Sequence, residues 1–127
     1  ICIGIYKERA EVALQDKADM KARLFEQVQL LLDHGHYLEI ATHDEPLVRQ
    51  CIEHLDKRGV SKDAYEFQML LGVPRSELQR EIVRRGQIMR LYVPFAEEWK
   101  YAIRYLKRRL AASPSMALMV MKNLSGR

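Results

Sequence analysis

The sequence predicts an α/β fold built from four β/α units and a short C-terminal helix. Short apolar runs of strand length alternate with longer segments whose apolar residues recur at helical spacing, and glycine or proline stands near most of the junctions. Of the 127 residues, 48% are hydrophobic and 30% are charged, a balance typical of a folded domain with a packed core. Because strands and helices alternate, we expect parallel strands with helices packed outside them.

The first unit is predicted to be a buried strand followed by an amphipathic helix. Residues 1–5 are almost entirely apolar, as in strands that are covered on both faces. The helix is expected from about residue 20, and it should end near Gly35, because glycine readily adopts the left-handed conformation that terminates helices. Its apolar stripe consists of Met20, Leu24, Phe25, Val28, Leu31 and Leu32.

The second unit has a strand at residues 37–41 and a helix with signals at both ends. Thr42 or Asp44 can cap this helix through a side-chain oxygen, and Pro46 suits a first helical turn. The apolar stripe of the helix stops at Gly59. The order of the first unit, a strand and then a helix, is therefore repeated.

The third and fourth units continue the same pattern. Residues 65–70 predict a strand, which is followed by a turn and by a helix over about 74–85. A fourth strand at 88–93 is ended by a proline, because proline cannot donate to a sheet ladder, and a helix over about 97–111 follows. The apolar face of this helix, which consists of Trp99, Ile103, Leu106 and Leu110, is expected to pack on the strands. After a Ser-Pro break, residues 116–123 could form one further short helix with a Met-rich face.

Four consecutive β/α units correspond to half of an eight-unit barrel of about 250 residues. We therefore interpret residues 1–127 as a single partial domain. The chain begins on an apolar run without a methionine, as expected for a segment of a longer protein. Since barrel enzymes carry their chemistry at the carboxyl ends of the strands, the candidate site segments are 4–8, 42–44, 70–72 and 92–94.

The net charge of +4 is spread over a chain in which acidic and basic residues are interspersed, apart from one basic cluster. A cluster of this kind has three interpretations: a solvated helix face, a contact with nucleic-acid phosphates, or a clamp for an anionic ligand. Composition alone leaves all three open. The cluster consists of Arg104, Lys107, Arg108 and Arg109.

Neither a metal site nor a membrane span is predicted. Cys2 and Cys51 match no metal or redox spacing, and we expect both to be reduced thiols. His34 and His36 form a His-x-His pair without a third ligand at a suitable spacing, so we place them on the surface. No stretch approaches 18 apolar residues, and nothing resembles a signal peptide. A cytoplasmic protein is therefore expected.

Four segments of the chain, in matching order and at matching spacing, resemble the proline dehydrogenase family. The resemblance implies the last four strands of a distorted (β/α)₈ barrel that holds FAD, so this chain would be the C-terminal half of the barrel. It also implies oxidation of L-proline to 1-pyrroline-5-carboxylate by hydride transfer to the flavin, which then passes its electrons to a quinone or a similar acceptor. The segments are 4–8 (GIYKE), 41–44 (ATHD), 65–70 (YEFQML) and 92–94 (YVP), the last followed by YLKRR at 105–109.

The resemblance assigns the substrate contacts to the last helix and to two strand ends. Arg108 and Arg109 would clamp the proline carboxylate, and guanidinium groups suit this task because they bind a carboxylate through two parallel hydrogen bonds. Tyr105, which shares a helix face with both arginines, would line the proline pocket, although Tyr101 stays open as an alternative. Leu70 and Tyr92 would pack against the substrate ring, and Tyr92 would matter for activity; a core aromatic with a bonded hydroxyl is the alternative for Tyr92.

The resemblance also assigns cofactor contacts. Thr42 and His43 would contact FAD away from its reacting ring, although a structural role, or more rarely a metal-ligand role, stays open for His43. Glu66 would lie on the cofactor side of its strand, although an ion pair inside the barrel stays open for this residue. Tyr6 would stand beside the active site as a second residue that matters for activity. The segment that approaches the flavin ring would be Ile3, Gly4 and Ile5, where glycine permits a close backbone approach.

One member of this segment departs from the family pattern. Ile3 stands where the family has a lysine, and the loss of a cation near the flavin could alter its reduction potential. The arginine that contacts the reactive flavin nitrogen in the family would lie just before residue 1. We therefore expect this chain alone to be inactive.

Two other functions stay open at this level. A basic α/β module could bind nucleic-acid phosphates through residues 104–109, in which case its affinity should fall steeply with salt. A related barrel oxidoreductase could act on hydroxyproline. The proline dehydrogenase interpretation implies no nucleic-acid partner, and it allows peripheral association with the inner face of a membrane.

Overall fold

The chain alternates helices and parallel strands over the part that its computed structural model describes, residues 1–3, 8–93 and 95–112. The prediction of an α/β fold with parallel strands is confirmed. The elements in these ranges are α1 (Lys17–Asp33), β1 (Leu38–Ala41), α2 (Glu45–Lys57), β2 (Tyr65–Leu70), α3 (Ser76–Arg84), β3 (Ile88–Tyr92) and α4 (Trp99–Ala112).

The three strands form one sheet in the order β1-β2-β3, and each neighbouring pair is parallel. Leu38 of β1 pairs with Tyr65 of β2, and Leu70 of β2 pairs with Tyr92 of β3. Parallel strands that follow one another in sequence are joined by right-handed crossovers. The two helices between them, α2 and α3, therefore cover the same face of the sheet.

The first predicted strand is represented in the described residues by its beginning. Cys2 forms an isolated parallel bridge with Ala41, and the backbone N–H of Ala41 donates to the carbonyl of Ile1 at 2.9 Å. The N-terminus thus lies beside β1 and continues the parallel order of the sheet. The remainder of this predicted strand and the predicted short helix at 116–123 lie outside the described residues.

The first helix begins earlier than its apolar stripe indicates. Asp16 caps it, because its carboxylate accepts the backbone N–H groups of Ala18 and Asp19 at 2.7 and 3.2 Å. Helix α1 therefore starts at Lys17, in polar sequence that contributes nothing to the stripe. Its end agrees with the prediction, since Gly35 has a φ of 71°.

The packed core lies between helices α1 to α3 and one face of the sheet. Side chains at alternate positions of the strands point into this core, as the two-residue period of a strand requires. The strand members are Leu38, Ile40, Tyr65, Phe67 and Met69, and the helices add Leu24, Val28, Leu47, Val48, Cys51, Ile52, Leu55, Leu78 and Ile82. None of the α4 side chains that the structure describes belongs to this cluster.

Helix α4 does not use the face that its apolar stripe predicts. Trp99 and Ile103, which we expected to pack on the strands, are 81% and 46% exposed. Instead the helix turns Tyr101, Ala102 and Tyr105 towards a cavity at the carboxyl ends of the strands, and of the predicted stripe Leu106 lines this cavity as well. The packing predicted for Trp99 and Ile103 is therefore wrong within the described residues, because the aromatic side of the helix lies against the strand ends.

Candidate active site

A cavity of about 950 Å³ opens at the carboxyl ends of the strands. Its walls come from the chain after β1, the last residues of β2 and β3, and one side of α4. A volume of this size is in the range of small-molecule sites. Among the residues that the sequence resemblance assigned, those that line this cavity are Ile3, Thr42, His43, Leu70, Tyr92 and Tyr105.

The apolar wall of the cavity is formed by two neighbouring strand ends and one helix face. Leu70 and Tyr92 are register partners at the ends of β2 and β3. Side chains alternate between the two faces of a strand, and Leu70 and Tyr92 stand at positions that face away from the core. Tyr105 of α4 is half-buried against the same cavity, and Tyr101 lies one turn before it. Tyr92, Tyr101 and Tyr105 thus all line the same cavity.

The loop after β1 is held rigidly at the cavity by contacts from two other elements. The Nε2 atom of His43 accepts the backbone N–H of Leu70 at 3.2 Å, so the ring is fixed to the end of β2. The backbone carbonyl of His43 accepts a hydrogen bond from Nε of Arg75 at 3.0 Å. Arg75 precedes α3, and it therefore links the loops that follow β1 and β2.

Asp44 anchors the other end of this loop. One carboxylate oxygen caps α2 by accepting the backbone N–H of Leu47 at 3.1 Å, and the other pairs with Nζ of Lys21 at 2.6 Å. Burial acts to raise the pKa of Asp44, but the hydrogen bonds from Lys21 and Leu47 outweigh it, so the pKa lies below its ordinary value. The backbone N–H of Asp44 also donates to Oγ1 of Thr42 at 3.2 Å. Of the two predicted caps, Asp44 is the one that caps the helix.

Glu66 lies beneath the cavity in a polar cluster that supplies hydrogen bonds to both of its carboxylate oxygens. Arg90 donates to both carboxylate oxygens from Nε and Nη2, at 2.6 and 2.7 Å. Tyr37 donates its hydroxyl at 2.9 Å and Gln68 its amide at 2.6 Å. The Arg90 hydrogen bonds are the main cause that lowers the pKa of Glu66 to about 2, against the burial that would raise it.

These contacts bear on the predicted role of Glu66. Its side chain is 0% exposed, and each of its oxygens already accepts two hydrogen bonds. The sequence left open an ion pair as the alternative role of Glu66, and the structure contains this ion pair, formed with Arg90. A direct contact between Glu66 and the cofactor stays a prediction.

The remaining site residues are placed less completely. Arg108 is exposed on α4, one helical turn after Tyr105, and it does not line the cavity. The side chain of Arg109 lies outside what the structure describes, and so do Gly4, Ile5 and Tyr6. The carboxylate clamp and the flavin contacts of the first strand therefore stay predictions.

Sequence reasoning assigned no role to several residues that shape this site. Gln68 lines the cavity, Arg75 holds the carbonyl of His43, and Arg90 neutralises Glu66. A signal existed for Gln68, because it stands between Glu66 and Leu70 on the same side of a strand. Long arginine side chains carry no such signal, since their partners are 24 and 32 residues away in the chain.

Two classes of site are not found in the part of the chain that the structure describes. No group of three or more His, Cys, Asp or Glu side chains there is arranged to hold a metal ion. No helix in those ranges combines the length and the apolar character that crossing a bilayer demands.

Comparison with known proteins identifies the family. The model of the family described as "Proline dehydrogenase" matches residues 6–115. "Proline dehydrogenase" of Deinococcus radiodurans is 38% identical over 121 residues, which are 95% of this chain and 38% of that protein. "Proline dehydrogenase 2" of Bacillus subtilis strain 168 is 37% identical over 122 residues, which are 96% of this chain and 39% of that protein.

The chain therefore spans about two fifths of the length of these relatives. The match nevertheless covers nearly all of the chain, and it includes the strand ends and the helix that line the cavity. By this extent of matching, the chain belongs to the proline dehydrogenase family.

Proposed function

We propose that residues 1–127 form the C-terminal half of a (β/α)₈ barrel in a longer, FAD-dependent proline dehydrogenase. The enzyme would oxidise L-proline to 1-pyrroline-5-carboxylate. Family membership supports the activity, and coverage of 38–39% of the relatives supports a single partial domain. A parallel sheet with helices on one face supports the barrel. The chain alone would be inactive.

One observation carries this proposal above the others. Six residues that the sequence resemblance assigned to substrate or flavin line a single cavity at the carboxyl ends of the strands. They come from five separate stretches of the chain. Barrel enzymes build their sites at this end from different strands, so the convergence is what the proposed activity requires.

The cavity suits a flavin ring and a small amino acid. Its volume of about 950 Å³ and its mixture of apolar walls with a few polar groups are typical of cofactor sites. When bound, FAD would supply the acceptor for the hydride that leaves proline. Thr42 and His43 would hold the cofactor from the rigid loop after β1, and the segment from Ile3 to Ile5 would lie along its ring.

The chain's own residues would orient proline and exclude water from it. Leu70 and Tyr92, side by side at the ends of β2 and β3, would pack against one face of the pyrrolidine ring. Tyr105 would close the pocket from the side of α4. Arg108 and Arg109 would bind the carboxylate by two-pronged hydrogen bonds, which fixes the ring carbon in one place.

The reduced flavin would be reoxidised by a quinone or a similar acceptor. If the acceptor is a membrane quinone, the cytoplasmic enzyme would associate with the inner face of the membrane.

The direct test uses the full-length protein that carries this chain, loaded with FAD. Under anaerobic conditions L-proline should bleach the flavin absorbance, whereas hydroxyproline should do so more slowly. A protein whose flavin hydroxyproline reduces faster would be the related oxidoreductase. One that fails to reduce with either, but binds nucleic acid with a steep salt dependence, would contradict the proposal.

The clamp is tested by Arg108→Lys. Lysine keeps the charge but cannot form the two-pronged contact, so we expect KM for proline to rise about tenfold with a smaller change in kcat. Arg80→Lys is the matched control, because among the described residues Arg80 pairs with the exposed Glu77 on the surface of α3. Equal KM values for Arg108→Lys and wild type would rule out the clamp.

A further inference from the structure

Gln68 is a polar side chain of the cavity wall to which the family resemblance gives no role. It lies on β2 between Glu66 and Leu70, on the sheet face opposite the packed core. Its register partners are Ala41 on β1 and Arg90 on β3, so it sits at the centre of the three strands. It is half-buried and lines the cavity.

The Glu66 carboxylate fixes the direction of the Gln68 amide. Nε2 of Gln68 lies 2.6 Å from Oε1 of Glu66. Two hydrogen bonds from Arg90 hold Glu66 in its ionised form. An ionised carboxylate can only accept hydrogen bonds, so the amide nitrogen of Gln68 must face Glu66 and the amide oxygen must face away from it.

The amide oxygen of Gln68 is thereby left as an acceptor. Within residues 1–3, 8–93 and 95–112, the hydrogen bond that Gln68 makes through its side chain is the one it donates to Glu66. The neighbouring cavity wall is apolar, with Ala41, Met69 and Leu70 among its members. A fixed acceptor in such surroundings discriminates strongly between ligands that can donate a hydrogen bond to it and ligands that cannot.

We propose that Gln68 is a ligand-binding residue whose amide oxygen accepts a hydrogen bond from an N–H group in the cavity. Glu66 and Arg90 are its positioning residues, because they hold the oxygen towards the ligand. The inference rests on the proposed function, which offers two N–H donors: the imide of the flavin ring and the secondary ammonium of proline. A ligand with only acceptor atoms at this place would be disfavoured.

The test compares Gln68→Met with wild type in the full-length protein. Methionine has nearly the same shape but lacks a strong acceptor. Two constants are measured: Kd of the apoprotein for FAD, by quenching of flavin fluorescence, and KM for proline. If the imide is the donor, Kd for FAD should rise about tenfold with KM for proline nearly unchanged. If the ammonium is the donor, KM for proline should rise about tenfold with Kd for FAD nearly unchanged.

The matched control is Gln50→Met, since Gln50 is exposed on α2 and should leave both constants as they are. Gln68→Asn retains the amide on a shorter side chain that cannot reach the same position, and it should shift the same constant as Gln68→Met. It serves as the second variant should the methionine protein fail to fold. The inference is overturned if every folded variant at position 68 keeps both constants within about twofold of wild type.

The positioning role has its own readout. In Glu66→Gln the new amide at position 66 can either donate or accept a hydrogen bond, so the amide group of Gln68 can rotate by about 180°. The constant that Gln68→Met changes should then shift in the same direction. Adding Gln68→Met to Glu66→Gln should then cost nothing more, because both changes act through one oxygen. Fully additive effects would contradict the positioning role. Failure of wild type to bind FAD or oxidise proline would instead contradict the proposed function.

Discussion

The two faces of strand β2 are built in different ways. On the face towards the helices, Tyr65 and Phe67 are 0% exposed and packed among apolar side chains. On the opposite face, Gln68 and Leu70 are half-buried and line the cavity, and Glu66 is buried by virtue of its hydrogen-bonded partners. The comparison teaches that apolar packing secures the strand from one side, while a few polar contacts shape the site on the other.

The largest effect should come from removing an aromatic ring on the helix face. Phe67→Ala leaves a cavity in a core that cannot close around it, so we expect the free energy of unfolding to fall by about 4 kcal/mol. Phe95→Ala is the matched control, because Phe95 is 85% exposed and should change stability by less than about 1 kcal/mol. Urea denaturation of the full-length proteins measures both free energies of unfolding. Similar losses for the two variants would contradict the claim that packing on the helix side of β2 stabilises the strand.

Acid should act on the cavity face through Glu66. Its pKa is lowered from 4.5 to about 2 in the folded protein, so its ion pair adds stability above about pH 4.5. That contribution, on the order of 3 kcal/mol, should disappear as the pH falls towards 2. Between pH 4.5 and about 2, the free energy of unfolding should fall more steeply with decreasing pH for wild type than for Glu66→Gln. Parallel curves would mean that Glu66 titrates normally.

Removing the cation from the same cluster should cost somewhat less. Arg90→Ala leaves a buried carboxylate with only Tyr37 and Gln68 as partners, and about 2 kcal/mol should be lost. The loss is smaller than for a fully buried pair, because the Arg90 side chain is 59% exposed. Arg80→Ala breaks a surface pair and should cost under about 0.5 kcal/mol. Thermal unfolding distinguishes the two variants.

The smallest change in stability is expected at the loop after β1. Asp44→Ala removes the cap of α2 and the contact with Lys21, which together stabilise the protein by about 1 kcal/mol. Because the loop carries His43, the affinity of the apoprotein for FAD should also fall. Asp33→Ala, which breaks a surface pair with Arg58, should leave FAD affinity unchanged. An Asp44→Ala protein with normal affinity would show that the loop is held without its cap.

The fold was predictable wherever local signals and packing agree. The strands β1 and β2 and the ends of α1 and α2 follow from apolar alternation and from glycines, such as Gly35 and Gly59, that adopt positive φ. Helix α4 shows where this reasoning fails. Its apolar stripe runs through Trp99 and Ile103, but the side of the helix that lies against the strand ends is the one with Tyr101 and Tyr105. Periodicity identifies a helix but does not decide which of two apolar sides is covered.

The site was predictable from motifs only as far as single residues. The segments with Thr42-His43, Leu70 and Tyr92 were expected at strand ends, and they line one cavity. The network that ties them together was not foreseen, because Arg75 and Arg90 reach partners far away in the sequence. Contacts of this kind depend on the register of the sheet, which the sequence does not state.

The most direct test of the account is a crystal structure of the full-length, FAD-loaded protein with a proline analogue that keeps the ring N–H group and the carboxylate but cannot be oxidised. We expect the ring of the analogue against Leu70 and Tyr92, with its carboxylate on the guanidinium groups of Arg108 and Arg109. An analogue bound elsewhere, or arginines that point away from the strand ends, would contradict the account.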